Sequence, residues 1–239
     1  MFFQKDNLSK YGFISLWEFI LASVLMFLST VFTCLGIPYG LKKLCPEHSG
    51  FFDRHLFGIF IFFLSAVISF FIIYYFSCKR KQKSLKEGLF FYPKSNKVYI
   101  YCVLIGLLMP LLTLPIILKF APKEFYAMDV VKTKDGIIYL LTAALSAPVF
   151  EEIYYRGFIF SFFQSKLNSY WAVIITGIYF GFCHLSNIGN AHILLSLFIF
   201  YGFVLTLIRY FTNSLIPPII THFVHNLTLM VSFFIASRV

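Results

Sequence analysis

Residues 147–157, APVFEEIYYRG, place two carboxylates and a guanidinium inside a long apolar run of the chain. An ionisable side chain at the centre of a membrane helix costs about 2.5–3.5 kcal/mol on insertion scales, so such residues are rare there. Glu152 and Arg156 are four residues apart on one helix face, which predicts an ion pair between them. Glu151 points about 100° away and has no such partner in its own helix. This unpaired carboxylate therefore requires a separate explanation.

The composition around this stretch is that of a membrane protein. The chain has 239 residues, of which 59% are hydrophobic and only 13% are charged. A soluble domain does not need so much apolar surface, because its exterior must meet water. The apolar runs also lack the alternation of a β-barrel. We therefore predict an all-α, polytopic membrane helical bundle that forms a single integral membrane domain over residues 1–239. Seven transmembrane helices, or eight if the fourth breaks in two, are predicted at 13–37, 55–77, 98–120, 137–162, 169–186, 191–211 and 214–236.

The positive charge of the chain predicts its orientation. The formal net charge is +10, and residues 78–97, here named the basic loop, contain seven Lys or Arg residues. Cytoplasmic loops of membrane proteins carry an excess of these residues, so the basic loop and the amino terminus are predicted to be cytoplasmic. The charge thus indicates topology and contact with the lipid bilayer, and no nucleic-acid partner is expected.

Two later spans carry further polar side chains at helical spacing. Phe180 and His184 are four residues apart in the fifth span, and His222 and Asn226 are four apart in the seventh. A single buried histidine or asparagine is more often a packing residue, but three spans with such groups predict a shared site. A carboxylate beside an imidazole can deprotonate water, and a second imidazole with an amide N–H can stabilise an oxyanion. The set therefore suits peptide hydrolysis without a covalent intermediate.

Two points stay open at the level of the sequence. Counted from the helix ends near the basic loop, His184 lies about 22 Å along its helix and His222 about 12 Å, so they meet only if the helices tilt or their ends differ. The set Glu151, His184 and His222 would also suit Zn²⁺, because two His and one Glu form a known catalytic zinc set. The HExxH spacing of many zinc proteases is absent.

The three segments resemble the three motifs of the CAAX-protease and bacteriocin-processing family of intramembrane proteases, which includes the Ras-converting CAAX endopeptidases. The order of the motifs and their placement on separate late helices agree with that family, over about residues 137–230. The matching residues are Glu151, Glu152 and Arg156 for EExxxR, Phe180 and His184 for FxxxH, and His222 and Asn226 for HxxxN.

The resemblance implies a role for each matching residue. Glu151 would activate a water molecule together with His184, while His222 and Asn226 would form the oxyanion site. A metal-free glutamate mechanism is favoured, with no cofactor, and Zn²⁺ held by Glu151, His184 and His222 is the alternative. The residues expected to support the site are Glu152, Arg156 and Phe180.

The resemblance also implies a substrate class. A CAAX enzyme cuts after a prenylated cysteine, and its cavity should open toward the cytoplasmic leaflet. Bacterial-type members act on peptides, bacteriocin precursors or other membrane proteins, so the expected partner is a membrane-protein, lipidated-protein or peptide substrate. The compact chain favours a prokaryotic plasma membrane as its location.

Two other classes of protein are compatible with the same residues. A non-catalytic immunity or partner-binding membrane protein could use the same scaffold, and it would tolerate Glu151→Ala. A transporter could relay protons through the Glu and His residues. The absence of an inverted repeat and the length of 239 residues disfavour a transporter.

Overall fold

The computed structural model describes residues 14–51, 55–120, 133–185 and 192–236, and every regular element in these ranges is helical. Within these ranges, six helices are long and apolar enough, by length and composition, to cross a membrane. The predicted all-α polytopic bundle is therefore confirmed. In chain order the helices are α1 (Leu16–Leu44), α2 (His55–Tyr74, with a π-helical end Tyr75–Lys79), α3 (Leu85–Gly88), α4 (Asn96–Phe120), α5 (Lys134–Lys166), α6 (Ser169–Phe182), α7 (His192–Thr212) and α8 (Ile216–Ala236).

The fifth predicted span is shorter than expected. Helix α6 has 14 residues, or about 21 Å, whereas the hydrocarbon core of a bilayer is about 30 Å thick. It ends at Phe182, and the chain continues in a turn through Cys183 and His184. Residue 186, the predicted end, lies outside the described residues.

Helices α6 and α7 lie close together because α6 has glycines at the contact. A Cβ added at Gly177 would collide with the Phe203 ring, and one added at Gly181 would collide with Ile199. Both collisions involve residues of α7. The close approach holds the end of α6, and thus the turn with His184, against α7.

The fourth predicted span is one continuous helical run, α5. Thr133 caps its start by accepting a hydrogen bond from the N–H of Gly136 at 3.0 Å. The run contains Pro148 and changes to a π-helix over Ile153–Ile159, directly after the two carboxylates. Short π-helical segments inside α-helices occur frequently at functional sites.

The start of α1 is tied to the basic loop by an ion-pair cluster. Ser15 caps α1, and its backbone N–H donates to Glu18 at 2.7 Å. The Glu18 carboxylate also pairs with Arg80 at 2.7 Å and with Lys81 at 3.0 Å. The start of α1 and the basic loop therefore lie on the same side of the bundle.

The start of α8 is fastened to the same side. The Ser214 hydroxyl donates to the carbonyl of Tyr92 at 2.6 Å, and the N–H of Leu215 donates to the carbonyl of Phe90 at 2.9 Å. The Arg209 guanidinium, near the end of α7, lies 4.2 Å from the centre of the Phe90 ring. These contacts set the level at which α8 begins.

The outer surface of the bundle is apolar. Trp17 and Phe27 of α1 are 78% and 67% exposed, and Leu112 of α4 is 61% exposed. Such side chains are favourable where the surrounding medium is hydrocarbon. Together with the six long apolar helices, they make this chain an integral membrane protein.

Candidate active site

The predicted pair of Glu152 and Arg156 forms, and it is completely buried. The Arg156 Nη1 donates to the Glu152 Oε1 at 2.8 Å, and both side chains are 0% exposed. Arg156 also donates to the carbonyl of Gly202 at 3.0 Å and to the hydroxyl of Thr206 at 3.3 Å. Its cation lies 4.5 Å from the centre of the Phe180 ring. The pair thus links α5 to both α6 and α7.

Glu152 also binds the histidine of α8, a contact that spacing along the chain does not reveal. The Nδ1 of His222 lies 2.8 Å from the Oε1 of Glu152. Because a carboxylate paired with a guanidinium only accepts hydrogen bonds, the Nδ1 of His222 carries the proton. In a neutral imidazole the Nε2 of His222 then has a free lone pair.

His184 is oriented by its own motif partner. The Nδ1 of His184 lies 2.7 Å from the carbonyl oxygen of Phe180, which can only accept, so this Nδ1 also carries the proton. The imidazole lies between two rings, 4.5 Å from the centre of Phe180 and 4.7 Å from that of Phe198. The FxxxH spacing therefore fixes both the tautomer and the position of His184.

Glu151 faces both histidines. Its Oε2 lies 3.9 Å from the Nε2 of His184 and 3.8 Å from the Nε2 of His222. This oxygen is buried and has no hydrogen-bond partner among the described residues, although the side chain as a whole is 27% exposed. One carboxylate oxygen thus faces the Nε2 atoms of two imidazoles inside the bundle.

A cavity of about 650 Å³, here named the histidine cavity, joins the predicted catalytic residues. Glu151, His184, His222 and Asn226 all line it, together with Phe180. The fully buried Glu152 and Arg156 are not among its lining residues. The structure therefore brings the four predicted catalytic side chains to one chamber and places the supporting pair behind them.

His225 and Tyr201 are polar residues of this cavity that lie outside the motifs. The imidazole of His225 stacks on the Tyr201 ring with centroids 3.9 Å apart, and both residues line the cavity. His225 follows His222 by three residues on α8 and lies near the same face, which the sequence indicates. Tyr201 is one of many aromatic residues on α7, so no sequence signal distinguishes it.

A second cavity, of about 750 Å³ and here named the apolar cavity, reaches the other side of Glu151. It lies between α1, α2, α5 and α6, and its lining includes Phe19, Phe70, Phe150 and Phe163 besides Glu151. The hydroxyls of Tyr154 and Tyr179, also in its wall, are hydrogen-bonded at 2.8 Å. Glu151 thus lies where the two cavities meet.

The three groups considered for zinc are spaced more widely than zinc ligands. Ligand atoms about 2.0–2.2 Å from a tetrahedral Zn²⁺ lie about 3.4 Å from each other. The Oε2 of Glu151 is 3.9 and 3.8 Å from the two Nε2 atoms. Within the described residues, no group of three His, Cys, Asp or Glu has an arrangement that could hold a metal ion. As placed, these residues do not fit a zinc centre.

The fold and the site together define a polytopic membrane protein with carboxylates and imidazoles clustered inside the bundle. Residues 133–228 match the family model described as type II CAAX prenyl endopeptidase Rce1-like. This match confirms, for this part of the chain, the family predicted from the three motifs, and it supports an intramembrane protease. No curated protein and no solved structure shows significant similarity to the chain.

Proposed function

We propose that this protein is a glutamate-type endopeptidase that hydrolyses a peptide bond in a membrane-embedded or lipid-anchored substrate. The observation that carries the proposal is the position of the Glu151 Oε2, which lies 3.9 and 3.8 Å from the Nε2 atoms of His184 and His222. Spacings of this size leave each of these atoms free to bind water or substrate, because none is consumed by a direct hydrogen bond.

Glu151 and His184 activate the water in this proposal. The Nδ1–H of His184 is held by the Phe180 carbonyl, so its Nε2 lone pair accepts a hydrogen bond from the water. Glu151 takes a proton from the same water as the oxygen attacks the carbonyl carbon of the scissile bond. The proton then passes from Glu151 to the amide nitrogen as the C–N bond breaks, which gives a carboxylic acid and an amine.

His222 and Asn226 stabilise the oxyanion of the tetrahedral intermediate. Since the Nδ1–H of His222 is bound to Glu152, the Nε2 donates only when the imidazole is protonated. The Glu152 carboxylate, 2.8 Å away, stabilises that cation as a carboxylate does behind a catalytic histidine. The amide of Asn226, one helical turn further along α8, supplies a second donor to the same cavity.

The proposed mechanism uses no metal. The wide spacing of Glu151, His184 and His222 supports this choice. Each step needs only side chains of the chain itself and one water molecule.

The two cavities support a substrate that is partly apolar. The apolar cavity offers space directly beside Glu151 for a hydrocarbon chain or apolar side chains, while the histidine cavity takes the peptide group to be cut. We propose a prokaryotic plasma membrane as the location of the protein. The basic loop is assigned to the cytoplasm because it contains seven Lys or Arg residues.

The test is a comparison of protein termini in membranes of cells that express the wild type, Glu151→Gln or Glu87→Gln at equal levels. Glu87 is a suitable control because it is an exposed carboxylate on α3 that lines neither cavity. The hydrogen bond from the Ser84 hydroxyl holds the pKa of its carboxyl below the usual value, so Glu87 is a carboxylate that the substitution neutralises. We expect new termini with the wild type and Glu87→Gln, and none with Glu151→Gln. Identical termini in all three, with a cellular phenotype that survives Glu151→Gln, would instead identify a non-catalytic partner-binding protein.

A further inference from the structure

The histidine cavity extends in one direction along α4 and α5. On α4 its wall runs from Met109 to Ile117, three residues before the helix ends at Phe120. On α5 it runs from Glu151 back to Tyr139, five residues after the helix begins at Lys134. The part of α5 beyond Glu151, toward Lys166, does not contribute to the wall.

Helices α7 and α8 show the same direction. The wall on α7 runs from Tyr201 back to Leu194, two residues after the helix begins. On α8 it runs from His222 to Phe233, three residues before the helix ends. The cavity therefore reaches within about two turns of one end of each of four helices, with the reacting groups at its base.

The ends that the cavity approaches lie opposite the basic loop. The start of α8 is hydrogen-bonded to Phe90, which belongs to the basic loop just before α4 begins. Arg209, near the end of α7, lies 4.2 Å from the Phe90 ring and 5.7 Å from the ring of Phe160 in the last part of α5. The starts of α4 and α8 and the ends of α5 and α7 therefore share the side of the basic loop.

On that side the base of the cavity is closed by packed side chains. Glu152 and Arg156 lie directly beneath the reacting groups and are 0% exposed. Phe158, Phe160 and Leu215 follow toward the basic loop, and each is 0% exposed as well. A peptide thus finds no space between the histidines and the basic loop along these helices.

The apolar cavity lies nearer to the basic loop but does not provide a second catalytic entrance. Its wall includes Phe19, one residue from the Glu18 that pairs with Lys81, and Phe163 near the end of α5. Of the four predicted catalytic residues only Glu151 lines it. The two histidines and Asn226 are accessible from the histidine cavity.

We infer that the peptide to be cut reaches Glu151 from the face of the membrane opposite the basic loop, through the histidine cavity. The inference rests on the proposed function for the chemistry, and on the cavity and the helix directions for the side. With a cytoplasmic basic loop, the substrates are apolar peptide segments presented at the extracytoplasmic side. The side chains that line the path, among them Ile117, Leu140, Leu194 and Phe233, match an apolar segment. This differs from the cytoplasmic access that a prenylated cytoplasmic terminus would need.

The test measures the accessibility of single cysteines from each side of the membrane. The five native cysteines are replaced by alanine, and one cysteine is introduced as Leu140→Cys in the histidine cavity, Lys86→Cys in the basic loop, or Leu141→Cys on the lipid-facing surface of α5. A membrane-impermeant sulfonated maleimide is added to spheroplasts before and after permeabilisation. We expect Leu140→Cys to react in intact spheroplasts, Lys86→Cys only after permeabilisation, and Leu141→Cys to remain unreacted in both.

The inference would be overturned if Leu140→Cys reacts only after permeabilisation, as Lys86→Cys does. It would also be overturned if Leu140→Cys reacts from neither side. If the cysteine-free protein does not accumulate, the same variants are made in the native background, and mass spectrometry of the labelled peptides reports the same comparison. Labelling does not depend on proteolysis, so a failure of the proposed function appears separately, as identical termini with the wild type and Glu151→Gln. If the Leu140→Cys variant produces the new substrate termini before labelling, the labelled protein should no longer produce them. The reason is that the adduct fills the path to Glu151.

Discussion

Glu151 and Glu152 are neighbours on α5, yet the structure places them in opposite surroundings. Glu152 is 0% exposed and its Oε1 accepts hydrogen bonds from Arg156 and His222, both at 2.8 Å. Glu151 is 27% exposed and lines both cavities, and neither of its oxygens forms a hydrogen bond with the described residues, whereas Glu152 lacks a partner among them only at its Oε2. The difference teaches that one carboxylate is engaged in contacts between helices, while the other stays open to the cavities, as the proposed chemistry requires.

The contrast follows from helix geometry. Consecutive residues point about 100° apart, so one carboxylate faces α7 and α8 while the other faces the cavities. A buried charge without a partner is costly, whereas a charge that meets a polar chamber is tolerated in a membrane protein. Variants that remove each carboxylate in turn should therefore separate activity from stability.

The largest effect is expected on catalysis from Glu151→Gln. The amide cannot accept the proton of the attacking water, and loss of a general base typically lowers a rate by about 10²–10⁴-fold. The shape of the side chain is kept, and no hydrogen bond of its Oε2 is lost. We expect the rate of appearance of the wild-type-dependent termini to fall by that factor, with the thermal unfolding midpoint in detergent unchanged. A comparable fall in the unfolding midpoint would show that Glu151 is a structural residue.

The next effect is expected on stability from Glu152→Ala. Removing one partner of a buried ion pair leaves the Arg156 guanidinium uncompensated, which costs about 3–5 kcal/mol. Thermal unfolding of the purified protein should therefore shift to lower temperature, and the protein should accumulate less in membranes. Glu18→Ala is a suitable comparison, because Glu18 pairs with Arg80 and Lys81, of which Arg80 is half exposed. If Glu152→Ala is no less stable than Glu18→Ala, then the buried pair does not hold the bundle.

Much of this site is local in sequence, and that part could be predicted. The pair of Glu152 and Arg156 and the contact of Phe180 with His184 both span four residues, so helical periodicity indicates them. The apolar runs likewise indicate the long helices. What helical spacing could not reveal is the bond between Glu152 and His222, which are 70 residues apart.

The meeting of the two histidines was also beyond the sequence. Residue counts place His184 and His222 at different distances from the helix ends, so equal depth requires the ends to lie at different levels. The structure supplies two reasons: His184 lies in the turn after the short α6, and the start of α8 is fixed to Phe90 and Tyr92 of the basic loop. Both depend on tertiary contacts that follow no periodic pattern.

A smaller effect is expected from Thr206→Val on α7. This change removes a hydroxyl that accepts from the Arg156 Nε at 3.3 Å and donates to the Gly202 carbonyl of its own helix at 2.7 Å, while the bonds of Arg156 to Glu152 and Gly202 remain. The loss of a hydrogen bond to a charged group costs about 1.5–3 kcal/mol. Thr212→Val provides the matched control, since its hydroxyl bonds the Ile208 carbonyl of its own helix. Equal unfolding midpoints for the two variants would show that Thr206 contributes nothing to holding Arg156.

The smallest effect is expected from removal of metal ions. Glu151, His184 and His222 are spaced about half an ångström more widely than zinc ligands. Chelation should therefore leave the activity that depends on Glu151 unchanged. We expect the formation of wild-type-dependent termini by the purified protein to continue after treatment with phenanthroline, and its zinc content to stay far below one ion per chain. A known zinc protease treated in the same detergent controls for effective chelation. Stoichiometric zinc that is lost together with activity would mean that Glu151 acts as a ligand, and that the available carboxylate serves a metal and not a water molecule.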